Sequence, residues 1–185
     1  IKNFLLEDSL KFIIVKDTEI NTFINSNKNN IEIKGKYSFN NNNFLDFESE
    51  NIISKDIFKS KIRANIDEKI QIELINYTKP KEIIAEVSIE LEKFGDNLKL
   101  KNLNYAQGKN SIVINDLKFQ KGKFSNLKKA SVKTFSKKIS NNDFKILFGD
   151  KIIIEGNKFD ASNLAKLINQ KKSDNNLKKL NKNIE

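Results

Sequence analysis

Two neighbouring stretches of the chain repeat one short pattern. Residues 98–108 read Leu-Lys-Leu-Lys-Asn-Leu-Asn-Tyr-Ala-Gln-Gly, and residues 112–122 read Ile-Val-Ile-Asn-Asp-Leu-Lys-Phe-Gln-Lys-Gly. Residues 70–77 are a looser third copy. A unit of this length supplies one β-strand and one turn, so the repeat predicts a long meander in which each strand pairs with the next.

Alternation of apolar and polar residues extends this prediction over most of the chain. Along residues 85–92, for example, Ala, Val, Ile and Leu alternate with Glu, Ser, Glu and Glu. A period of two is typical of strands with one buried and one solvated face. Polar clusters rich in Asn, Gly and Asp separate the strands and suit hairpin turns. The predicted fold class is mainly β: a curled antiparallel meander that forms an open trough or an incomplete barrel.

The alternation breaks once in each repeat. Leu100 and Leu103 cannot share a face of a regular strand, and neither can Ile114 and Leu117. An extra residue at Asn102 and at Asp116 would restore the facing, which is what a β-bulge does. Matching bulges in neighbouring strands would curl the sheet into a trough. The residues predicted to line its apolar interior are Ile62, Ala64, Ile66, Ile72, Val87, Ile89, Leu91, Leu98, Leu100, Ile112, Ile114, Ile152 and Ile154.

One short helix is predicted near residues 161–169. Asp160 can cap it, with Phe159 and Leu164 at the two positions of a hydrophobic staple. This segment is either a simple plug at the end of the sheet or a gate over the apolar trough. We predict one domain, or one segment of a longer groove, over residues 1–170, and a Lys/Asn-rich linker or disordered tail over residues 171–185.

Composition excludes several classes of function. The net charge is +10, but only Arg63 among the 34 basic residues is arginine, which argues for solvation rather than nucleic-acid recognition. Without Cys or His, the usual zinc sites, thiol catalysis and His-based triads are ruled out. We therefore expect no metal site and no cofactor. The chain contains no Met and begins in mid-pattern at Ile1, which predicts either a processed product or, in preference, a piece of a longer protein.

Two sets of residues are candidates for catalysis. Asp46, Glu48 and Glu50 share one strand face, and Ser136 lies beside Lys137 and Lys138. The carboxylates have the pattern of a solvated outer face, and no strained elbow or oxyanion loop accompanies the serine. We expect no catalytic residues and no enzyme activity.

Two segments carry a resemblance to a known family. The first is the meander from Leu98 to Leu127. The second is Ile-Ile-Ile-Glu-Gly-Asn-Lys-Phe-Asp-Ala-Ser-Asn-Leu at residues 152–164. Over residues 60–170 the chain resembles the AsmA-like superfamily of Gram-negative bacteria, and most of all its large YhdP-type members. The resemblance implies a periplasmic β-groove, anchored in the inner membrane by a segment outside this sequence, which moves phospholipid toward the outer membrane.

Two readings of function remain open at this stage. In the first, the predicted interior residues form a groove for phospholipid acyl chains, which gain about 0.8 kcal/mol per buried CH₂ without any specific polar contact. In the second, the chain is a purely structural or interaction scaffold, such as a surface β-solenoid or an outer-membrane assembly module, and the same residues pack a closed core.

Overall fold

The structure, a computed structural model, describes residues 13–39, 43–136 and 138–163. These residues form thirteen β-strands and one turn of 3₁₀ helix between β5 and β6. The described residues contain no helix that is long and apolar enough to cross a membrane. The strands are β1 (Ile13–Ile24), β2 (Lys28–Phe39), β3 (Leu45–Ser54), β4 (Ile57–Ile66), β5 (Ile70–Ile72), β6 (Tyr77–Lys79), β7 (Ala85–Phe94), β8 (Asn97–Gln107), β9 (Asn110–Gln120), β10 (Lys123–Asn126), β11 (Lys129–Ser136), β12 (Ile139–Phe148) and β13 (Ile152–Lys158), and the 3₁₀ turn is Glu73–Ile75.

Eleven strands form one antiparallel sheet in the order β1-β2-β3-β4-β7-β8-β9-β11-β12-β13, with β10 also paired to β9. β10 and β11 lie end to end along β9, because Asn126 opposite Lys118 and Lys129 opposite Asn115 belong to one continuous register. The main sheet is therefore a meander. β1 and β13 lie at its two edges and do not pair with each other, so the sheet is not closed into a barrel. The predicted fold class is confirmed.

The main sheet is a single layer. Within the described residues, each of its strands makes its main contacts with the strands on either side, and the only strands outside it are the two short ones of the β5–β6 sheet. Most globular β proteins bury the apolar side of a sheet against a second layer. Here the strands provide that apolar side over the whole width of the sheet, and in the described residues the small β5–β6 sheet and its turn cover only part of it.

Cross-strand register places the apolar residues on one side of the sheet, which we call the apolar face. Ile62 lies opposite Ile89, Ile89 opposite Leu103, and Leu103 opposite Ile114. The line continues through Ala130 and Ile146 to Ile154 on β13. The other side, the polar face, carries the charged residues that alternate with them.

The polar face carries rows of opposite charge on successive strands. β3 and β7 present acidic residues, and β4 between them presents Lys59, Lys61 and Arg63. Arg63 Nη1 lies 2.7 Å from Glu48 Oε1, and Lys59 Nζ lies 3.6 Å from Glu92 Oε2. Each exposed pair contributes only about 0.2–1 kcal/mol. Because a slip of one residue would move every pair to the other face, the rows also favour a single register.

The parity breaks of the repeats are β-bulges at matching places in β8 and β9. Asp116 adopts φ 52° and its carboxylate lies 2.8 Å from Lys99 Nζ. The extra residue of β8 is Lys101, so the placement at Asn102 is wrong by one position. Asn102 keeps partners on both sides, and its Oδ1 accepts a hydrogen bond from Asn115 Nδ2 at 3.1 Å. Lys101 instead directs its ammonium to Glu92 at 3.2 Å.

Residues 67–84, which we call the covering segment, leave the meander between β4 and β7. The prediction that residues 70–77 repeat the strand unit is wrong, because they form β5, the 3₁₀ turn and the start of β6 in a separate two-stranded sheet. The turn ends at Asn76 in the left-handed conformation, with φ 48°. The covering segment packs on the apolar face and forms the main hydrophobic cluster with it: Ile70, Ile75, Tyr77, Ala85, Tyr105, Ile112, Val132 and Phe144.

The end of the described chain is irregular. β13 stops at Lys158, residue 161 has no regular structure, and Ser162 and Asn163 form a turn. The predicted helix beyond this point, its staple residue Leu164 and the proposed tail at residues 171–185 lie outside the described residues, as do residues 1–12.

Two glycines make room for bulges at the edges of the sheet. At Gly35, an added Cβ would lie 2.7 Å from Oγ1 of Thr18, which lies in the β1 bulge. At Gly156, an added Cβ would overlap the carbonyl oxygen of Asp143 and lie 2.6 Å from Phe144 Cβ. The contacts at Gly156 are with the backbone of residues 143 and 144 and with the Cβ of the buried Phe144, none of which can move aside cheaply.

We predict that Gly156→Val separates β13 from β12 and lowers the free energy of unfolding by about 2–4 kcal/mol. Urea denaturation measures the loss, and hydrogen exchange should show faster exchange at the amides of residues 152–156. Gly149→Ala is the matched control, because the nearest atom to its added Cβ is 3.9 Å away. Equal stability of both variants would contradict the close packing at Gly156.

Candidate functional site on the apolar face

The apolar face contains twelve of the thirteen predicted lining residues. The exception is Ile72, which belongs to β5 of the separate two-stranded sheet and packs against the main cluster from the covering side. The sequence assigned it to the sheet because residues 70–77 alternate like a strand. The other twelve are Ile62, Ala64, Ile66, Val87, Ile89, Leu91, Leu98, Leu100, Ile112, Ile114, Ile152 and Ile154.

The apolar face has a covered half and an open half. Near the covering segment, Ala85, Tyr105 and Ile112 are buried. Toward the other ends of the same strands, Ile89 and Leu100 are half-buried, and Leu98 and Phe58 are 37% and 36% exposed. The open half is therefore an apolar surface that solvent reaches, next to a packed core.

Strands β1, β2 and β3 extend the apolar face beyond the residues selected from the sequence. Ile33, Leu45 and Phe47 share this face through the β2–β3 and β3–β4 registers. Tyr37 packs edge-on against Phe39 and Phe47, with ring centroids 5.3 and 5.9 Å apart. Their parity alone could have identified them. On β12, Phe144 and Ile146 complete the face.

Two tyrosines join the covering segment to the sheet. The Tyr77 and Tyr105 hydroxyls hydrogen-bond to each other, and the rings meet edge-on with centroids 5.8 Å apart. Burial is the main cause that raises the pKa of both hydroxyls above the ordinary value. Burial, with the charge of Asp67, also raises the pKa of Tyr37 to about 12, and its hydroxyl donates to the Asn65 carbonyl at 2.6 Å. These hydroxyls stay neutral and act as hydrogen-bonding groups.

A buried asparagine on β12 anchors the covering segment to the main sheet. Asn142, on β12, is fully buried. Its Nδ2 donates to the Ile75 carbonyl at 2.7 Å and to Thr134 Oγ1 at 2.8 Å, and its Oδ1 accepts from the Asp160 amide at 2.9 Å. One side chain thus links the 3₁₀ turn, β11 and the segment after β13.

Asp160 extends this hydrogen-bond network at the surface, and we call the hydrogen bonds of Asn142 and Asp160 the clasp. Its carboxylate accepts hydrogen bonds from Ser162 Oγ and from the Ser162 amide at 3.1 Å, and from Asn76 Nδ2 at 2.9 Å. These bonds, the one from the Ser162 hydroxyl above all, lower the pKa of Asp160 to about 2. The bond to the amide two residues ahead is the one an N-cap makes. Phe159, the other predicted gate residue, is 42% exposed and packs edge-on against Phe144 at 5.1 Å.

A buried lysine stabilises the base of the covering segment. Lys79 is fully buried, and its Nζ donates to the carbonyls of Glu68 at 2.6 Å and Pro80 at 3.0 Å. Burial lowers its pKa, while Asp67 and Glu68 oppose that shift. The ammonium is therefore solvated by backbone carbonyls across the two-stranded sheet rather than presented to a cavity.

The candidate carboxylates lie on the polar face, and the candidate serine lies at one end of β11. Asp46, Glu48 and Glu50 are on the polar face, where Glu48 pairs with Arg63. Ser136 is exposed at the end of β11, and Lys137 lies outside the described residues. Within residues 13–39, 43–136 and 138–163, no group of three or more acidic side chains is arranged to hold a metal ion.

Comparisons with protein-family models, with curated proteins and with solved structures find no match to this chain. The arguments for function therefore rest on the geometry of the apolar face.

We predict that Asp160→Asn loosens the clasp and destabilises the protein by about 1–2 kcal/mol at neutral pH, because hydrogen bonds to a charged acceptor are replaced by weaker ones. The carboxylate's pKa is lower when folded than when unfolded, so its contribution is present above the unfolded pKa and is lost as pH falls toward 2. Wild-type stability measured by urea titration should fall through that range by more than that of the variant.

Asp150→Asn, in the exposed turn between β12 and β13, provides the comparison. Hydrogen exchange at residues 73–77 should accelerate in Asp160→Asn and stay unchanged in Asp150→Asn. Identical acid profiles for the wild type and Asp160→Asn would show that the clasp carboxylate contributes nothing to pH-dependent stability.

Proposed function

We propose that the apolar face holds or conducts phospholipid acyl chains, as one segment of an AsmA-like, YhdP-type envelope protein that works in the periplasm between the inner and outer membranes. In this proposal, attachment to the inner membrane depends on a segment outside this sequence. The groove residues are those of the apolar face, and Phe159 and Asp160 hold the covering segment at one side of it.

One observation carries the proposal: within the described residues the open half of the apolar face is accessible to solvent, with Phe58 and Leu98 36% and 37% exposed, although the covering segment buries the other half. Contiguous exposed apolar surface on a protein marks a place where another apolar body binds. The sheet spans about ten strand positions, which at a spacing of roughly 4.8 Å gives a face on the order of 50 Å wide. That dimension exceeds the length of one acyl chain and suits a site along which chains slide.

The chemistry of the open half fits acyl chains better than a headgroup. Its side chains are mainly Ile, Leu and Phe, with Lys93 at one end opposite Phe58 and Leu98, and the neutral polar residues near its centre satisfy one another. Ser60 Oγ donates to Asn51 Oδ1 at 2.7 Å, and Asn51 Nδ2 donates to Ser49 Oγ at 3.0 Å. A chain bound there gains about 0.8 kcal/mol for each buried CH₂ and meets no fixed polar partner. Uniform burial of this kind permits movement along the face.

The scaffold alternative is favoured by a different observation. Under the covering segment the same face is a closed core, where Tyr77, Tyr105 and Ile112 are each less than 9% exposed. If a further element covered the open half in the same way, the face would have only a structural role. The two experiments below distinguish these functions.

We predict that photo-crosslinking amino acids at Ile89 and Leu100 capture phospholipid in Gram-negative cells, because both positions face the open half. Glu90 and Asn115 are the control positions, since their side chains lie on the polar face of the same strands or their neighbour. Mass spectrometry of the crosslinked adducts identifies the lipid. Adducts at all four positions, or at none, would contradict the acyl-chain groove.

We also predict that a charge is tolerated on the open half and not on the covered half. Leu100→Asp should lower stability by less than about 2 kcal/mol, whereas Ile112→Asp, in the buried cluster, should cost about 4 kcal/mol or more. Urea denaturation measures both. Leu100→Asp should nevertheless abolish crosslinking at Ile89. Unfolding by Leu100→Asp would indicate a sealed interior and favour the scaffold.

A further inference from the structure

The meander brings alternate turns to the same end of the strands. The turns at residues 25–27, 55–56, 95–96, 121–122 and 149–151 follow β1, β3, β7, β9 and β12, and we call this set the tip rim. The covering segment lies at the opposite end of the strands, where β4 ends and β7 begins. Two contacts join neighbouring tips: the Lys121 amide donates to the Asp96 carbonyl at 3.0 Å, and Phe124 packs 6.3 Å from Phe148.

Phenylalanine is concentrated at the tip rim. Six of the chain's 14 phenylalanines lie within two residues of these five turns. Four of them are exposed: Phe23 at 61%, Phe94 at 54%, Phe124 at 53% and Phe58 at 36%. Phe58 projects on the apolar face, whereas Phe94, opposite Ile57, projects on the polar face. Aromatic residues therefore surround the rim from both sides of the sheet.

The tip rim is also basic. Six lysines lie in or next to its turns, against three aspartates, which leaves an excess of three positive charges: Lys28, Lys55, Lys93, Lys121, Lys123 and Lys151 against Asp56, Asp96 and Asp150. The covering segment on the other side has the opposite balance, with three lysines and four acidic residues between Asp67 and Ile84. Within the described residues, the tip rim therefore combines exposed phenylalanines with an excess of positive charge, and the covering segment does not.

We propose that the tip rim docks on the surface of an anionic lipid bilayer, with its phenylalanine rings in the headgroup–acyl boundary and its lysines against the lipid phosphates. Aromatic rings and lysines with apolar stems are the side chains that bind at this depth. Each lysine near an anionic surface adds attraction that falls away within a Debye length. The tips are short, tied turns, so little conformational freedom is lost when they dock.

This docking goes beyond the acyl-chain groove and is independent of it, because the rim would bind a bilayer even if the apolar face held no lipid. When both operate, the open half of the face, through Phe58 and Leu98, reaches the rim that touches the bilayer. A lipid chain would then enter sideways over the rim rather than from an edge strand.

The test is sedimentation of the purified chain with vesicles of phosphatidylcholine and phosphatidylglycerol in equal parts, compared with vesicles of phosphatidylcholine alone. We expect binding to the anionic vesicles that weakens as salt is raised. Phe94→Ser with Phe124→Ser should lower the binding constant on the order of tenfold, and Lys121→Gln with Lys123→Gln should lower it by a similar factor. Far-UV circular dichroism checks that these exposed substitutions preserve the fold.

The covering side provides matched controls. Leu74→Ser with Ile84→Ser removes side chains of equal exposure, 50% and 55%, and Lys81→Gln with Lys109→Gln removes the same charge. Both controls should bind as the wild type does. Equal losses in the control and rim variants, or no binding to anionic vesicles, would overturn the proposal. So would a rim that mediates self-association, seen as a concentration-dependent dimer that the phenylalanine variant abolishes without any vesicle binding.

A second measurement reports insertion directly. The chain has no tryptophan, so Phe94→Trp introduces a single reporter, with Leu74→Trp as its control. On anionic vesicles the emission of the first should shift to shorter wavelength and be quenched by brominated acyl chains, and that of the second should not. If this experiment fails while crosslinking at Ile89 and Leu100 succeeds, the docking proposal is contradicted and the acyl-chain groove is still supported.

Discussion

The structure depends on a sheet that has an apolar face over its whole width but only a partial cover for that face. Period-two alternation gives every strand an apolar side, and the register aligns those sides into one face. A β-sheet with such a face is ordinarily closed by a second sheet or by helices. Here the described residues supply only the covering segment and Phe159, so part of the face is core and part is surface. Each of our functional arguments begins from that division.

The charged face makes this arrangement specific. With no second layer to select a register by packing, strands of similar apolar pattern could pair in shifted alignments. The acidic rows of β3 and β7 on either side of the basic row of β4 disfavour pairing of these strands in another order, since β3 paired directly with β7 would place like charges opposite each other. Weak surface pairs, such as that of Arg63 with Glu48, thus matter for selecting one structure more than for its stability.

Sequence reasoning succeeded where local pattern decides structure. Parity placed Ile89, Leu100 and Ile114 on one face, and the breaks in parity located the bulges to within one residue. The choice between Lys101 and Asn102 depended on a cross-strand amide pair that no single strand encodes. Ile72 was misplaced because residues 70–77 alternate like a strand, yet Asn76 turns left-handed and closes a separate small sheet. The clasp joins residues 84 positions apart and leaves no local signal.

The contacts of the covering segment indicate a fixed cover rather than a swinging lid. It is held at its base by the buried Lys79 ammonium, in its middle by Tyr77 against Tyr105, and at its turn by Asn142 and the Asp160 carboxylate. Opening it would expose the cluster and leave the fully buried Asn142 amide without its carbonyl partner, a cost of several kcal/mol for the two together. Exchange of a bound molecule is cheaper on the open half, where no protein contact has to break. Any lipid traffic is therefore expected between the tip rim and the open half, with the covering segment as the fixed boundary that keeps acyl chains away from the core.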